Sequence, residues 1–390
     1  MRSAELQQVG GTQAGVQQGT AAAGGLEGVV VADTCLSEVD GEAGRLVIAG
    51  EDVERLAGRA PFEDVALRLL LGRLPSEGEV AGARAALGRA RVAAHALLPG
   101  LGGALEAADG MDALRGALGQ LREAEGAAGA AFPEEALRLV GAVGVFATAW
   151  ARRREGLPPL VPEAGAAHAE DLLRLATGAR AEEARWRALE AYLVTVSDHG
   201  LNASTFAARV VASTGSDAVS ALVAGVGALK GPLHGGAPGP VLDMLDAIGA
   251  PERAEAWLEG ELAAGRRLMG MGHRIYRVRD PRAAVLERAL ERLEAAGVVT
   301  PRLGLARAVE RAAEGVLRAR HPTRPLHANV EFYTAVLLDA LGLPRALFAP
   351  LFASSRAVGW MAHVQEQRRV GRLIRPASRY VGPRAEAVAA

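Results

Sequence analysis

The chain has 390 residues, half of them hydrophobic, and a formal net charge of −1. That length buries a large core and leaves room for a second, smaller domain, while the near-zero charge argues against nucleic acid or an anionic membrane as the main partner. Only 4% is aromatic, so the core is built from Ala, Leu and Val, which suit closely packed helices.

The single cysteine, Cys35, excludes an internal disulfide framework and any Cys-based zinc site, and it points to a reducing compartment. No apolar run approaches the ~20 residues a membrane span needs, and the N-terminus carries no secretory pattern. The expectation is a soluble, cytoplasmic, mostly helical protein.

Residues 1–24 are Gly, Gln, Ala and Thr with little else, and read as a disordered leader. Residues 27–50 alternate in short apolar runs around Asp40-Gly41, which predicts a small hairpin as the sole sheet. Leu67, Leu70, Leu71 and Leu74 recur at helical spacing, with Pro75 closing that helix. Residues 76–130 are rich in Ala, Gly and Arg with weak helical periodicity. Phe132-Pro133 opens a helix running to about Trp150, residues 156–160 form a loop, and helix resumes over residues 166–175.

The second half is punctuated by His-bearing loops at helix ends, where function tends to sit. These are SDHGLNAST (197–205), KGPLHGGAPGP (230–240), MGMGHRIYRVRDPR (269–282) and LHANVEFY (326–333). In the third, Gly270 and Gly272 permit close backbone approach to a ligand, and His273 supplies an imidazole that titrates near neutrality. Asp280-Pro281 reads as N-cap and first helical residue. Arg282 then stands in a helical first turn that favours anions. Pro240 is expected to start a helix near His234, whose dipole would keep that imidazole neutral.

These four clusters, together with GLEGVVVADT (25–34) and RLIRPASRYVGP (372–383), resemble the citrate synthase family over about residues 27–383. The resemblance implies an all-α homodimer with a minor N-terminal hairpin. A large domain (residues 25–235 and 343–390) and a small one (236–342) would close over oxaloacetate and an acyl-CoA. The implied chemistry is carbon–carbon bond formation followed by thioester hydrolysis, giving citrate and CoA, with no metal and no cofactor beyond acetyl-CoA as substrate.

The family's residue roles map onto this sequence as follows. His234 polarises the thioester carbonyl, His273 binds the oxaloacetate carbonyl, and Glu331 removes a proton from the acetyl methyl. Most of the family has aspartate where Glu331 stands; the extra methylene displaces the carboxylate oxygens by ~1.5 Å. His199, Arg282, Arg356 and Arg375 would join His273 in holding oxaloacetate, Arg375 from the partner subunit. Planar guanidinium forks suit carboxylates. Leu268, Met269, Gly270, Met271 and Gly272 would lie beside the CoA adenine, with Arg277 and Arg274 near phosphate.

Two rival readings accompany this one. 2-Methylcitrate synthase, using propionyl-CoA, shares every motif quoted. A CoA- or dicarboxylate-binding regulator would follow if Glu331 were incompetent, but the intact histidines and arginines speak against it.

Overall fold

The structure, a computed structural model, describes residues 25–26, 28–234, 238–322 and 326–382; the expected leader at 1–24 lies outside them. The chain divides into Met1–Asp33 and Thr34–Ala390. The described part of the first unit is turn and extended chain, in which the Val29 amide donates to the Leu26 carbonyl at 3.0 Å.

The second unit opens with strands β1 (Ser37–Asp40), β2 (Arg45–Ile48) and β3 (Glu51–Asp52), antiparallel in that order. The Asp40 carboxylate accepts from the amides of Glu42 and Ala43 and so fastens the first turn. The expected hairpin thus gains a third strand. Ala49 and Gly50 both have positive φ (49° and 85°), the requirement of a tight two-residue hairpin turn. Alanine is a poor advertisement for that conformation, which hides the turn from sequence.

Helices follow. After α1 (Val53–Leu56), α2 spans Phe62–Leu71. The predicted extension to Leu74 fails because Gly72 turns left-handed (φ 68°) and caps the helix, leaving Leu74 69% exposed. Residues 76–130, weakly periodic in sequence, hold the long α3 (Glu77–Leu97) and α4 (Gly110–Leu118). Caps account for both: Ser76 and Glu79 form a reciprocal capping box, and Asp109 accepts from two amides at the start of α4. Then come α5 (Phe132–Arg154), α6 (His168–Thr177), α7 (Glu183–Thr195), α8 (Ala203–Ser213), α9 (Ala218–Leu229), α10 (Pro238–Ile248) and α11 (Ala254–Ala263). The last four are α12 (Pro281–Ala295), α13 (Leu303–Arg320), α14 (Val330–Ala340) and α15 (Phe348–Val370). Helix α10 starts two residues before Pro240 and ends at Gly249, which takes a positive φ (72°).

Helices α5 and α15 pack on each other at the centre, with α3 on α5 and with α8 and α9 on α15. Both are buried around most of their circumference, as a helix apolar on all sides must be. Small residues let backbones touch. A Cβ at Gly359 would lie 2.3 Å from the Ser197 carbonyl oxygen, so glycine there seats the SDHG turn directly on α15. Farther along the chain, α12 packs on α14 and α11 on α13. Among the described residues no helix is long and apolar enough to cross a membrane.

Candidate active site

Two loops, residues 269–280 and 326–329, are laced together and aim the side chains of α12 and α14 at one place. The Gly272 amide donates to the His327 carbonyl (2.7 Å) and the Asn329 amide to the Gly270 carbonyl (2.9 Å). The Asn329 side chain donates to the Gly272 carbonyl (2.9 Å) while its oxygen caps α14 by accepting from the Glu331 amide (3.0 Å). The glycines serve this lacing. Gly270 and Gly272 have φ of 73° and 84°, and a Cβ on Gly270 would come within 2.9 Å of Phe332.

Asp280 ties the starts of both helices. It caps α12 and accepts from the Arg282 amide, and its other oxygen accepts from the Val330 amide (3.1 Å) at the head of α14. It also grips the Arg282 guanidinium with two bonds, at 3.0 and 2.8 Å. Burial works against the charge of Arg282, and this bidentate pair more than restores it. Arg356 is held otherwise. It is 2% exposed, its Nε donates to the Val196 carbonyl (2.7 Å), and no carboxylate pairs with it among the described residues. Burial depresses its pKa to about 10 although the Asp198 carboxylate pulls the other way, so it stays a cation at neutral pH with no carboxylate bonded to it among the described residues.

The histidines surround these arginines and all are neutral. Burial, then the charge of Arg282, lowers His273 to about 4. Its Nδ1 accepts from the amides of Ile275 and Tyr276, both at 3.1 Å, which places the ring proton on Nε2. That Nε2 lies 3.4 Å from Arg282 Nη2. Two donors cannot bond each other, but both can reach one oxygen between them.

His199 is edge-on to His273, with ring centroids 5.7 Å apart. Its Nε2 is enclosed without a hydrogen-bond partner among the described residues, and burial followed by Arg282 and Arg356 drives its pKa well down. Asp198, beside it, is fully buried. Burial alone would raise its carboxyl, but His363 (3.2 Å), Arg356 and the Ser37 hydroxyl (2.5 Å) hold it at about 2.

His234 is also neutral, at about 4, chiefly through burial. Its ring meets a helix start other than the expected one. Nε2 instead faces the first turn of α8, within reach of the Ser204 amide (3.3 Å) and hydroxyl (2.8 Å). Accepting the amide proton there leaves Nδ1–H as the free donor. Trp360 on α15 donates to the same Ser204 hydroxyl (3.1 Å), and Asn202 caps α8, so the ring's support is itself anchored.

Glu331 occupies the first turn of α14. Burial raises its carboxyl to about 7 even though Arg282 pulls the other way. Two tyrosines that sequence reasoning missed adjoin these groups. Tyr276 packs its ring on His273 at 4.7 Å; Tyr192, on α7, is fully buried, and its unbonded hydroxyl feels the charges of Arg356 and Glu331. Tyr276 was visible inside the HRIYR stretch, three residues past His273. Nothing local marks Tyr192.

The remaining expected residues are placed as follows. Leu268 is core and Met269 and Met271 pack partly into it, while Arg274 and Arg277 are exposed. The Gly270 and Gly272 carbonyls are both engaged by Asn329. Arg375 lies in the extended segment after α15, exposed and without a hydrogen bond or ion pair among the described residues. Arg274 is close enough to contribute to the depressed His234 pKa.

Comparison with known proteins matches residues 25–377 to the family model described as citrate synthase, C-terminal domain. A Mycobacterium tuberculosis protein named provisionally as citrate synthase 2 is 50% identical over 196 residues, covering 50% of this chain and 51% of that protein. This chain therefore spans about half the length of that relative. The 2-methylcitrate synthase of the same species is 37% identical over 368 residues, 92% of this chain and 90% of the relative. Among solved structures, the ternary complex of Thermoplasma acidophilum citrate synthase with carboxymethyl coenzyme A and oxaloacetate superposes with a TM-score of 0.81. It is 27% identical and covers 94% of this chain and 97% of that one.

Proposed function

Because the chain belongs to the citrate synthase family, we propose that it condenses oxaloacetate with acetyl-CoA and hydrolyses the resulting thioester to citrate and CoA. The observation that carries this reading is the meeting of a carboxyl poised near 7, three neutral histidines and two buried arginines, one of them bonded to no carboxylate among the described residues.

The ionised Glu331 takes a proton from the acetyl methyl. Electron density moves to the thioester oxygen, where His234 Nδ1–H meets it as a neutral donor. A neutral imidazole suits this step, since it stabilises developing oxygen charge without first giving up its proton. The enol carbon attacks the ketone carbon of oxaloacetate, whose oxygen accepts from His273 Nε2–H and Arg282. Arg356 and Arg282 hold the carboxylates, with His199 Nε2 completing the donor set. Water then cleaves the citryl thioester, releasing CoA.

Arg375 extends this site across a homodimer, reaching the partner's oxaloacetate, and residues 236–342 act as a small domain that closes on it. Closure serves the chemistry because a thioester enol survives only where water is excluded. Residues 268–272 with Arg274 and Arg277 line the path of the CoA nucleotide. A second reading, 2-methylcitrate synthesis from propionyl-CoA, is supported by the relative of that name no more than citrate synthesis is by relatives named citrate synthase. One methylene is worth only ~1–3 kcal/mol of discrimination, so both acyl groups deserve trial.

The experiment is CoA release with oxaloacetate and acetyl-CoA, run beside propionyl-CoA and beside each thioester alone. Release that depends on oxaloacetate supports the proposal, and the faster thioester identifies the acyl substrate. No oxaloacetate-dependent release with either one refutes it.

A further inference from the structure

Tyr276 is 4% exposed, and its hydroxyl is enclosed with no hydrogen-bond partner among the described residues. Leaving a buried hydroxyl unbonded costs about 1–3 kcal/mol, a cost phenylalanine would avoid while keeping the ring. The ring itself has clear work. It lies 4.7 Å from the His273 ring and 6.2 Å, edge-on, from His199, and the Arg282 guanidinium sits 5.7 Å from its centroid. The Tyr276 amide meanwhile fixes the His273 tautomer. None of these contacts uses the hydroxyl. Burial raises the phenol to about 12, so it remains a proton donor at neutral pH.

Its unbonded neighbour is informative. His199 Nε2 is a second enclosed polar atom without a partner, on the ring Tyr276 faces. Two such atoms beside a buried arginine make a surface whose hydrogen-bonding capacity is met only when an acceptor-rich anion is bound. We propose that Tyr276 is a further substrate-binding residue, whose hydroxyl donates to an oxygen of the dicarboxylate held by Arg282, His199 and His273. The proposal rests on the reading of that anion as oxaloacetate.

Tyr276→Phe isolates the hydroxyl from the ring. The expected result is a rise of about tenfold in the oxaloacetate Kd measured by calorimetry, and in its KM, from loss of a hydrogen bond to a charged group. The change in kcat should stay within about twofold, and the apo protein should melt at the same temperature or higher. Unchanged oxaloacetate affinity overturns the proposal. So does a lower apo melting temperature, which would reveal a structural partner for the hydroxyl. If the parent protein binds no oxaloacetate at all, the functional reading itself fails, and Tyr276 loses its ligand with it. Parental binding with no effect of the substitution condemns the Tyr276 assignment alone.

Discussion

Replacing Glu331 by glutamine removes an ionisable group while keeping its size, and the structure sets the magnitude to expect. Burial lifts the carboxyl to about 7, so roughly one-tenth is ionised at pH 6 and nine-tenths at pH 8. A general base acts only when ionised. In the parent, kcat/KM for acetyl-CoA should therefore rise on the order of tenfold between those pH values. Glu331→Gln should lower kcat at least about a hundredfold, flatten that pH dependence and leave oxaloacetate affinity little changed.

Stability gives an independent reading. The folded carboxyl keeps its proton up to about 7, whereas the unfolded one loses it near 4.5, so the folded state binds more protons between these values. Stability of the parent relative to Glu331→Gln thus falls as pH rises through that window, by about 3 kcal/mol at most. Thermal melts at pH 5 and pH 8 should show the glutamine variant gaining on the parent. A stopped assay of CoA thiol release across pH 5.5–8.5 measures the kinetics. Near-parental turnover by the glutamine variant, or a pH limb that survives the substitution, would refute the assignment of Glu331 as the base. Glu331→Asp, with the shorter arm in a site built around glutamate, should be slower by roughly tenfold.

Arg356→Met replaces a buried cation of the site by an apolar side chain of similar length and should weaken oxaloacetate binding at least about a hundredfold by calorimetry. Asp280→Ala strips Arg282 of its carboxylate and α12 of its cap and releases the Val330 amide, so denaturant unfolding should show a loss of about 3–5 kcal/mol. Mixing Arg375→Ala with His273→Ala protein and allowing subunit exchange should restore some activity, since one site of the heterodimer then keeps both residues; no recovery after verified exchange would put Arg375 outside the partner's site. Affinity for acetyl-CoA should increase when oxaloacetate is present, as ordered binding with domain closure requires, and equal affinity in both conditions would count against closure.

Much of this protein was legible in order of residues because the relevant physics is local. Asp280-Pro281 begins a helix since a short acceptor side chain meets the free amides of the first turn and proline needs no partner there. The four histidine clusters hold the groups that the fold brings together around Arg282 and Arg356. Local periodicity failed where a cap overruled it, at Gly72, and where alanine took a positive φ, at Ala49. What tertiary structure alone decided is charge and neighbourhood. Only packing turned His234 toward the head of α8, left Arg356 bonded to no carboxylate among the described residues, and enclosed Glu331 deeply enough to raise its carboxyl to about 7. Tyr192 joined the site from a separate helix with no mark in its own surroundings. A protonation state depends on desolvation and on charges brought from distant parts of the chain, and neither exists until the chain has closed around them.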